Sequence, residues 1–374
     1  MRISTLKIFL AALLVVASAS VLAARKEAGA PADTEGYTAT LETAKPLAAK
    51  GDAEAQFLLG TLYEKGQGAP KNNREAAAWY RRAAEQGHAK SQNSLGDMYF
   101  NGYGVPQDFN QAMEWYRKAA ERGNADAGYN LGEMYYGGHG VPQDFNLAMG
   151  WYRKAVERGS ADAGYNLGEM YYNGSGTPQD YREALAWFRK AAELGDAEAQ
   201  YRLGWMQYKG EGVALNYREA LAWFSKAAEQ GHPPAQVCLG WLFQKGIGTG
   251  QDYRQALHWY RRAEARNSEA QNNLGEMYQE GLGVPQDDAE AVSWYHKAAA
   301  RNHAEAQLRL GAMYELGRGA PQDLPLALMW FTLAAAAGNK DAAGRAEMAE
   351  TKMSAPQLEK SREMKKEWLE KHRE

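Results

Sequence analysis

The stretch NADAGYNLGEMYYGGHGVPQDFNLAMGWYRKAVERG, residues 124–159, holds one complete structural unit. Asn124 is a good helix N-cap, because its side-chain oxygen can accept a backbone N–H that the first turn leaves unpaired. After it Ala127, Leu131, Met134 and Tyr135 fall at helical spacing and make one face apolar. Gly137-Gly138 and then Gly140 end this helix, since glycine tolerates the left-handed geometry of a C-cap. Val141-Pro142-Gln143 follows, and proline cannot continue a helix. Asp144 caps a second helix with Ala148, Trp151, Tyr152 and Ala155 on its apolar face, and Gly159 stops it. The unit reads as helix A, turn, helix B.

Outward from this stretch the same unit recurs. Leu-Gly pairs begin at Leu59, Leu95, Leu131, Leu167, Leu203, Leu239, Leu274 and Leu310. Twenty residues after each stands Trp79, Trp115, Trp151, Trp187, Trp223, Trp259, Trp294 or Trp330, and the 36-residue period slips once, to 35. A fixed period of this size means stacked units, not a closed globule. Gly132 and its equivalents sit inside helix A, where glycine costs about 1 kcal/mol against alanine. A cost repeated eight times points to close helix approach, with an aromatic ring of helix B over the bare backbone.

Capping boxes are expected at the start of most B helices, pairing Asn72 with Glu75, Asp108 with Gln111, Asp180 with Glu183, Asn216 with Glu219, Asp252 with Gln255 and Asp287 with Glu290. Asp144 and Asp323 face Leu147 and Leu326, so those two boxes are incomplete. Between repeats 6 and 7 the glycine stop is missing and the chain runs through Ala263-Glu264-Ala265-Arg266-Asn267. A local change of geometry is expected there. At the next junction Asn302 stands for the glycine, which is acceptable because asparagine also visits the left-handed region.

These features resemble the Sel-1-like repeat, a relative of the tetratricopeptide repeat. The resemblance rests on Ala-x-x-x-Leu-Gly-x-x-Tyr in helix A, Gly-x-Gly-Val-Pro-x-Asp in the turn and Ala-x-x-Trp-Tyr-x-Lys-Ala-Ala in helix B, over residues 52–338. Repeat 5 departs from it with Gln207, and the turns Val213-Ala214-Leu215 and Thr249-Gly250-Gln251 lack the proline. The resemblance implies an all-α chain, a right-handed α-solenoid superhelix that scaffolds protein–protein contacts. Cysteine-rich relatives reported to act on β-lactam-type ligands rely on paired cysteines in every unit, which this chain lacks, so that activity is not carried over.

Residues 1–23 read as a secretory signal peptide, with Arg2 and Lys7 as the positive region, Ile8 to Ala17 as the apolar core and Val21-Leu22-Ala23 as the cleavage site. An uncleaved anchor is the alternative. The apolar run is shorter than the roughly 20 residues of a membrane span, so no stable span is expected after cleavage, and the expected location is periplasmic or secreted. Residues 24–36 read as a flexible leader and 37–51 as an N-terminal capping helix with Leu41, Ala44, Leu47 and Ala48 inward. Residues 339–374 read as a degenerate half-repeat and a C-terminal capping helix from Ser354 to about His372.

The full chain carries a net charge of −3; without Arg2 and Lys7 it has 41 basic and 46 acidic residues, or −5. That mild, mixed charge argues against nucleic acid, which needs a basic footprint. Cys238 stands alone and reads as a plain thiol, or else as a disulfide between two copies. His-Glu-x-x-His, Gly-x-Ser-x-Gly and the P-loop are absent. The seven histidines are scattered, with His88, His232 and His303 at the first position of a helix A. No catalytic residue, metal site or cofactor is expected.

The chemistry is expected in a groove. If the Leu-Gly pair faces inward, the residues two before the leucine and two and five after it line the concave surface. These are Tyr129, Glu133 and Tyr136 in repeat 3; Tyr165, Glu169 and Tyr172 in repeat 4; Tyr201, Trp205 and Tyr208 in repeat 5; and Trp241 in repeat 6. Tyrosine and tryptophan bury area at low entropic cost, and Asp97, Glu133, Glu169 and Glu276 suit a partner carrying lysine or arginine. The competing reading is that the rings merely pack against neighbouring helices. The expected function is a protein- or peptide-binding adaptor, not an enzyme, in a bacterial envelope or secreted complex. The alternatives are a protein that binds or hydrolyses cell-wall sugars, muropeptides or β-lactams, and a spacer with no groove partner.

Overall fold

The computed structural model describes residues 34–265 and 267–372. The expected signal peptide and the leader through residue 33 lie outside them. The described residues hold nineteen helices and no strand. The described residues divide into two compact units, the first ending at Leu194 and the second beginning at Gly195.

In the first unit α1 (Thr34–Ala49) precedes four hairpins. Helix A and helix B of each are α2 (Ala53–Lys65) and α3 (Asn73–Glu85), α4 (Ala89–Asn101) and α5 (Phe109–Glu121), α6 (Ala125–Gly137) and α7 (Phe145–Glu157), α8 (Ala161–Asn173) and α9 (Tyr181–Glu193). In the second unit the pairs are α10 (Ala197–Lys209) and α11 (Tyr217–Glu229), α12 (Pro233–Lys245) and α13 (Tyr253–Ala263), α14 (Ser268–Glu280) and α15 (Asp288–Ala299), α16 (Ala304–Leu316) and α17 (Leu324–Ala336). Then come α18 (Lys340–Glu350) and α19 (Ala355–Lys371). Helix α1 begins three residues inside the expected leader and runs through Pro46.

Each A helix starts at a side-chain cap: Asn124 accepts the N–H of Ala127 at 2.7 Å, and aspartate, serine or histidine does the same elsewhere. Each ends at a glycine with φ between +68° and +75°. The B-helix caps also form, but the expected capping boxes are only half made. Asp108 accepts the N–H groups of Asn110 and Gln111 at 3.0 Å. Its own N–H, which a reciprocal box would give to Gln111, goes instead to the Tyr99 carbonyl of helix A at 2.9 Å. All eight turns make this bond, from Asn72 to Tyr63 through Asp323 to Tyr314, at 2.8–3.1 Å. It ties the start of helix B to the end of helix A.

The leucine–glycine positions form the core. Leu59, Leu95, Leu131, Leu167, Leu203, Leu239, Leu274 and Leu310 are at most 1% exposed. The glycine beside each lies under a ring of its own helix B: Tyr80, Tyr116, Tyr152, Phe188, Phe224, Tyr260, Tyr295 and Phe331. An added Cβ would come within 2.7 Å of a ring atom in every repeat, so the expected close approach is present throughout. Successive repeats are sewn together by buried glutamines. Gln92 Nε2 donates to the Ala84 carbonyl at 3.0 Å, and Gln236 and Gln307 do the same to Ala228 and Ala299.

At the irregular junction α13 is 11 residues long where its equivalents have 12 or 13, and Asn267 caps the next helix. Asn302 takes φ 58°, the left-handed geometry expected of it. Among the described residues no helix is long and apolar enough to cross a membrane.

Candidate functional site

The predicted groove residues stand on the A helices, and all ten are at least partly exposed. Most of them also meet their own B helices. Tyr129, Tyr165 and Tyr201 lie 6.0, 5.6 and 5.7 Å from the clasping rings of Tyr152, Phe188 and Phe224. Tyr136, Tyr172 and Tyr208 lie 5.3, 5.1 and 5.2 Å from Phe145, Tyr181 and Tyr217, the first residues of helix B. Each ring thus rests one side on the scaffold. The packing reading accounts for that side, and the remaining exposure is what a partner could use.

In the first unit two concavities open between A helices. One, of about 410 Å³, is walled by Asp97, Phe100, Tyr116, Tyr129, Glu133 and His139. The next, of about 230 Å³, is walled by Glu133, Tyr136, Tyr152, Asn166 and Glu169. Glu133 belongs to both. Tyr165 and Tyr172 stand on the same helix as Glu169 but line neither.

The carboxylates are not idle. Tyr116 Oη donates to Asp97 Oδ1 at 2.8 Å and Asn130 Nδ2 to the same oxygen at 3.1 Å. One repeat later Tyr152 Oη donates to Glu133 Oε1, and Asn166 Nδ2 donates to it at 2.7 Å. Burial, with Glu64 and Asp126 nearby, pushes the Asp97 carboxyl up to about 6 against the pull of the Tyr116 hydroxyl. Burial also raises the hydroxyls of Tyr116 and Tyr152, which stay protonated donors.

In the second unit Tyr201, Trp205, Tyr208 and Trp241 join one aromatic network. Trp205 meets Tyr201, Tyr208 and Phe224 edge-on at 6.3, 5.4 and 5.7 Å, and Tyr208 meets Trp241 at 5.8 Å. Lys209 Nζ lies 5.7 Å from the Trp205 ring. Cys238 packs against this network, and burial pushes its thiol up to about 12. A thiol so protonated is a poor nucleophile.

The cap histidines link repeats. His88, His232 and His303 accept a backbone N–H at Nδ1 and hold Glu54, Glu198 and Glu269 of the preceding helix A through Nε2, at 3.0, 2.8 and 2.8 Å. Among the described residues no group of three metal-ligating side chains converges.

Sequence reasoning missed the residue just before each leucine. Asn130 and Asn166 sit there and reach back to the previous repeat, Asn130 to Asn93 and Asp97, Asn166 to Glu133 and the Tyr152 hydroxyl. The signal was available: this position is polar in Ser94, Asn130, Asn166, Arg202, Asn273 and Arg309, next to a buried leucine.

The Sel1 repeat family model matches residues 53–88, 89–124, 125–160, 161–196, 197–232, 233–268, 268–303 and 304–339. A Sel1 repeat protein from Oxalobacter formigenes is 35% identical, covering 82% of this chain and 89% of its own, with a TM-score of 0.60. A protective antigen present in uropathogenic Escherichia coli strains, displaying an SLR fold, is 33% identical over 90% of this chain and 80% of its own, with a TM-score of 0.51. No curated protein matches the chain.

Proposed function

This chain belongs to the Sel1 repeat family, and from that premise we propose that it is an exported, non-enzymatic scaffold whose A-helix face holds a protein or peptide partner. Sel1 repeat proteins generally mediate protein–protein interaction, and the scaffold is generally non-catalytic. One observation carries the reading for this chain. Tyr136, Tyr172, Trp205 and Trp241 each combine a ring braced by neighbours with residual exposure on a helix. Rigid, half-exposed aromatic rings lose little entropy when a partner covers them. Export rests on the Arg2 and Lys7 region, the apolar run from Ile8 and the Val21-Leu22-Ala23 site. An adaptor in a bacterial envelope or secreted complex fits both.

The test is affinity capture from envelope and culture-supernatant fractions. The protein is compared with a Tyr136→Ala, Tyr172→Ala, Trp205→Ala variant of matched helicity. A partner held by the first and lost by the second is the expected result. A partner held equally by both would move binding off this face. Steady turnover of a muropeptide or β-lactam by the purified protein would favour the hydrolytic alternative.

A further inference from the structure

Repeat 7 shows how the Glu133 position looks when the chain supplies its own cation. Glu276 stands two residues after Leu274, as Glu133 does after Leu131. Tyr295 clasps the neighbouring Gly275, as Tyr152 clasps Gly132 beside Glu133, but its hydroxyl donates to Gln279 where that of Tyr152 donates to Glu133. The residue before the next repeat's leucine is Arg309 in one case and Asn166 in the other. Arg309 Nη2 lies 3.6 Å from Glu276 and its Nε lies 3.0 Å from Glu305 Oε1, with the Tyr295 hydroxyl near the guanidinium. Asn166 reaches the equivalent pair, Glu133 Oε1 at 2.7 Å and Tyr152 Oη at 3.5 Å, but brings no charge. Asp97 is in the same state, with Asn130 in the arginine's place. Among the described residues no lysine or arginine lines either concavity of the first unit.

We propose that these two concavities receive arginine side chains of an extended peptide, doing from outside what Arg309 does from within. The inference deepens the reading of the A-helix face as a binding surface and rests on it. Each concavity offers a half-buried carboxylate for the guanidinium and an aromatic wall, Phe100 and Tyr129 in one, Tyr136 in the other. Arginine suits such a site better than lysine, because its flat, weakly hydrated group stacks on rings while it bonds a carboxylate. Hydrogen-bonded, partly buried charges that lack a counterion cost more than paired ones, so the occupant's charge is attractive beyond its contacts.

The spacing also follows. The A helices α6 and α8 touch, and packed helices lie about 8–10 Å apart. A polyproline II segment advances about 3.1 Å per residue with three residues per turn, so positions i and i+3 share a side about 9 Å apart. The partner motif is therefore Arg-x-x-Arg in an extended, proline-tolerant segment.

The experiment is fluorescence anisotropy of the full chain with a labelled Pro-Arg-Pro-Pro-Arg-Pro peptide at low salt, against the same peptide with citrulline for arginine. Glu133→Gln removes the charge but keeps an acceptor for the tyrosine hydroxyl, the arrangement Gln244 and Gln279 already use under Tyr260 and Tyr295. Asn166→Arg fills the second concavity from within, on the pattern of repeat 7. Binding weakened at least tenfold by each variant, and by citrulline, with thermal stability unchanged or raised, is the expected result. Equal binding of both peptides, or indifference to both variants, overturns the proposal. If the peptide fails to bind while a captured partner still depends on Tyr136, Tyr172 and Trp205, the arginine inference falls and the scaffold reading stands.

Discussion

Gly96 and Gly150 answer the same substitution in opposite directions. A Cβ on Gly96 would lie 2.5 Å from Cδ1 and Cε1 of Tyr116, a ring only 2% exposed that has nowhere to go. Gly96→Ala gains about 1 kcal/mol in helix propensity but overpacks, and the steric term wins, for a net loss of about 1–2 kcal/mol. Nothing lies within 4 Å of a Cβ on Gly150, so Gly150→Ala keeps the propensity gain, up to about 1 kcal/mol. Urea unfolding of the two variants checks the signs.

At the same scale Asp97 reverses the usual acid behaviour of a carboxylate. Its folded value of about 6 lies above the ordinary 3.8, so the fold prefers the protonated form. Stability from this group therefore rises as pH falls from about 6 to about 4, and its full penalty is present above 6. Asp97→Asn is expected to stabilise at pH 7.5 by about 1–2 kcal/mol, a figure reduced from the full shift because the side chain is partly exposed. The gain should vanish near pH 4 in paired denaturation curves. A constant gain across that range would show that Asp97 is not desolvated.

At the scale of the element, seven B helices carry a cation three residues after the tryptophan. Arg82, Lys118, Lys154, Lys190, Lys226, Arg262 and Lys297 lie 3.4–5.0 Å from the ring centroids of Trp79, Trp115, Trp151, Trp187, Trp223, Trp259 and Trp294. The cation and its alkyl stem shield a ring that would otherwise meet water. Repeat 8 has Leu333 instead, and there Trp368 of α19 covers Trp330 at 5.8 Å. The exception marks the helix that closes the second unit. Trp368→Ala should cost about 2–3 kcal/mol through lost ring burial. Trp368→Lys should recover part of that loss by imitating the other seven repeats. Thermal unfolding of the two variants makes the comparison.

For the whole molecule, stacked repeats predict that stability is roughly a sum of repeat and neighbour terms. Deleting residues 125–160 removes one period and leaves near-identical neighbours, because repeats 3 and 4 share Ala-Asp-Ala-Gly-Tyr-Asn-Leu-Gly-Glu-Met-Tyr-Tyr. The shortened chain should keep its helicity per residue and unfold at lower denaturant with a smaller m-value. Loss of cooperative folding would show that this repeat is more than one of a series.

The sequence by itself determined the helix and turn pattern, the eight ring-over-glycine clasps and the left-handed Asn302. These depend on caps, glycines and a strict period, all legible within a few residues of each other. Only the tertiary structure decided where the polar groups go. The B-helix capping boxes lost their second half because the N-cap N–H found a nearer carbonyl on helix A. Glu133 and Asp97 looked like open hooks on a helix face, yet each accepts a tyrosine hydroxyl 19 residues on and an asparagine 33 residues on. Which acceptor serves each clasping tyrosine also varies, Asp97 two residues past its leucine but Gln244 five past. That choice is made by the approach of three helices at once, a distance relation that a one-dimensional period does not contain.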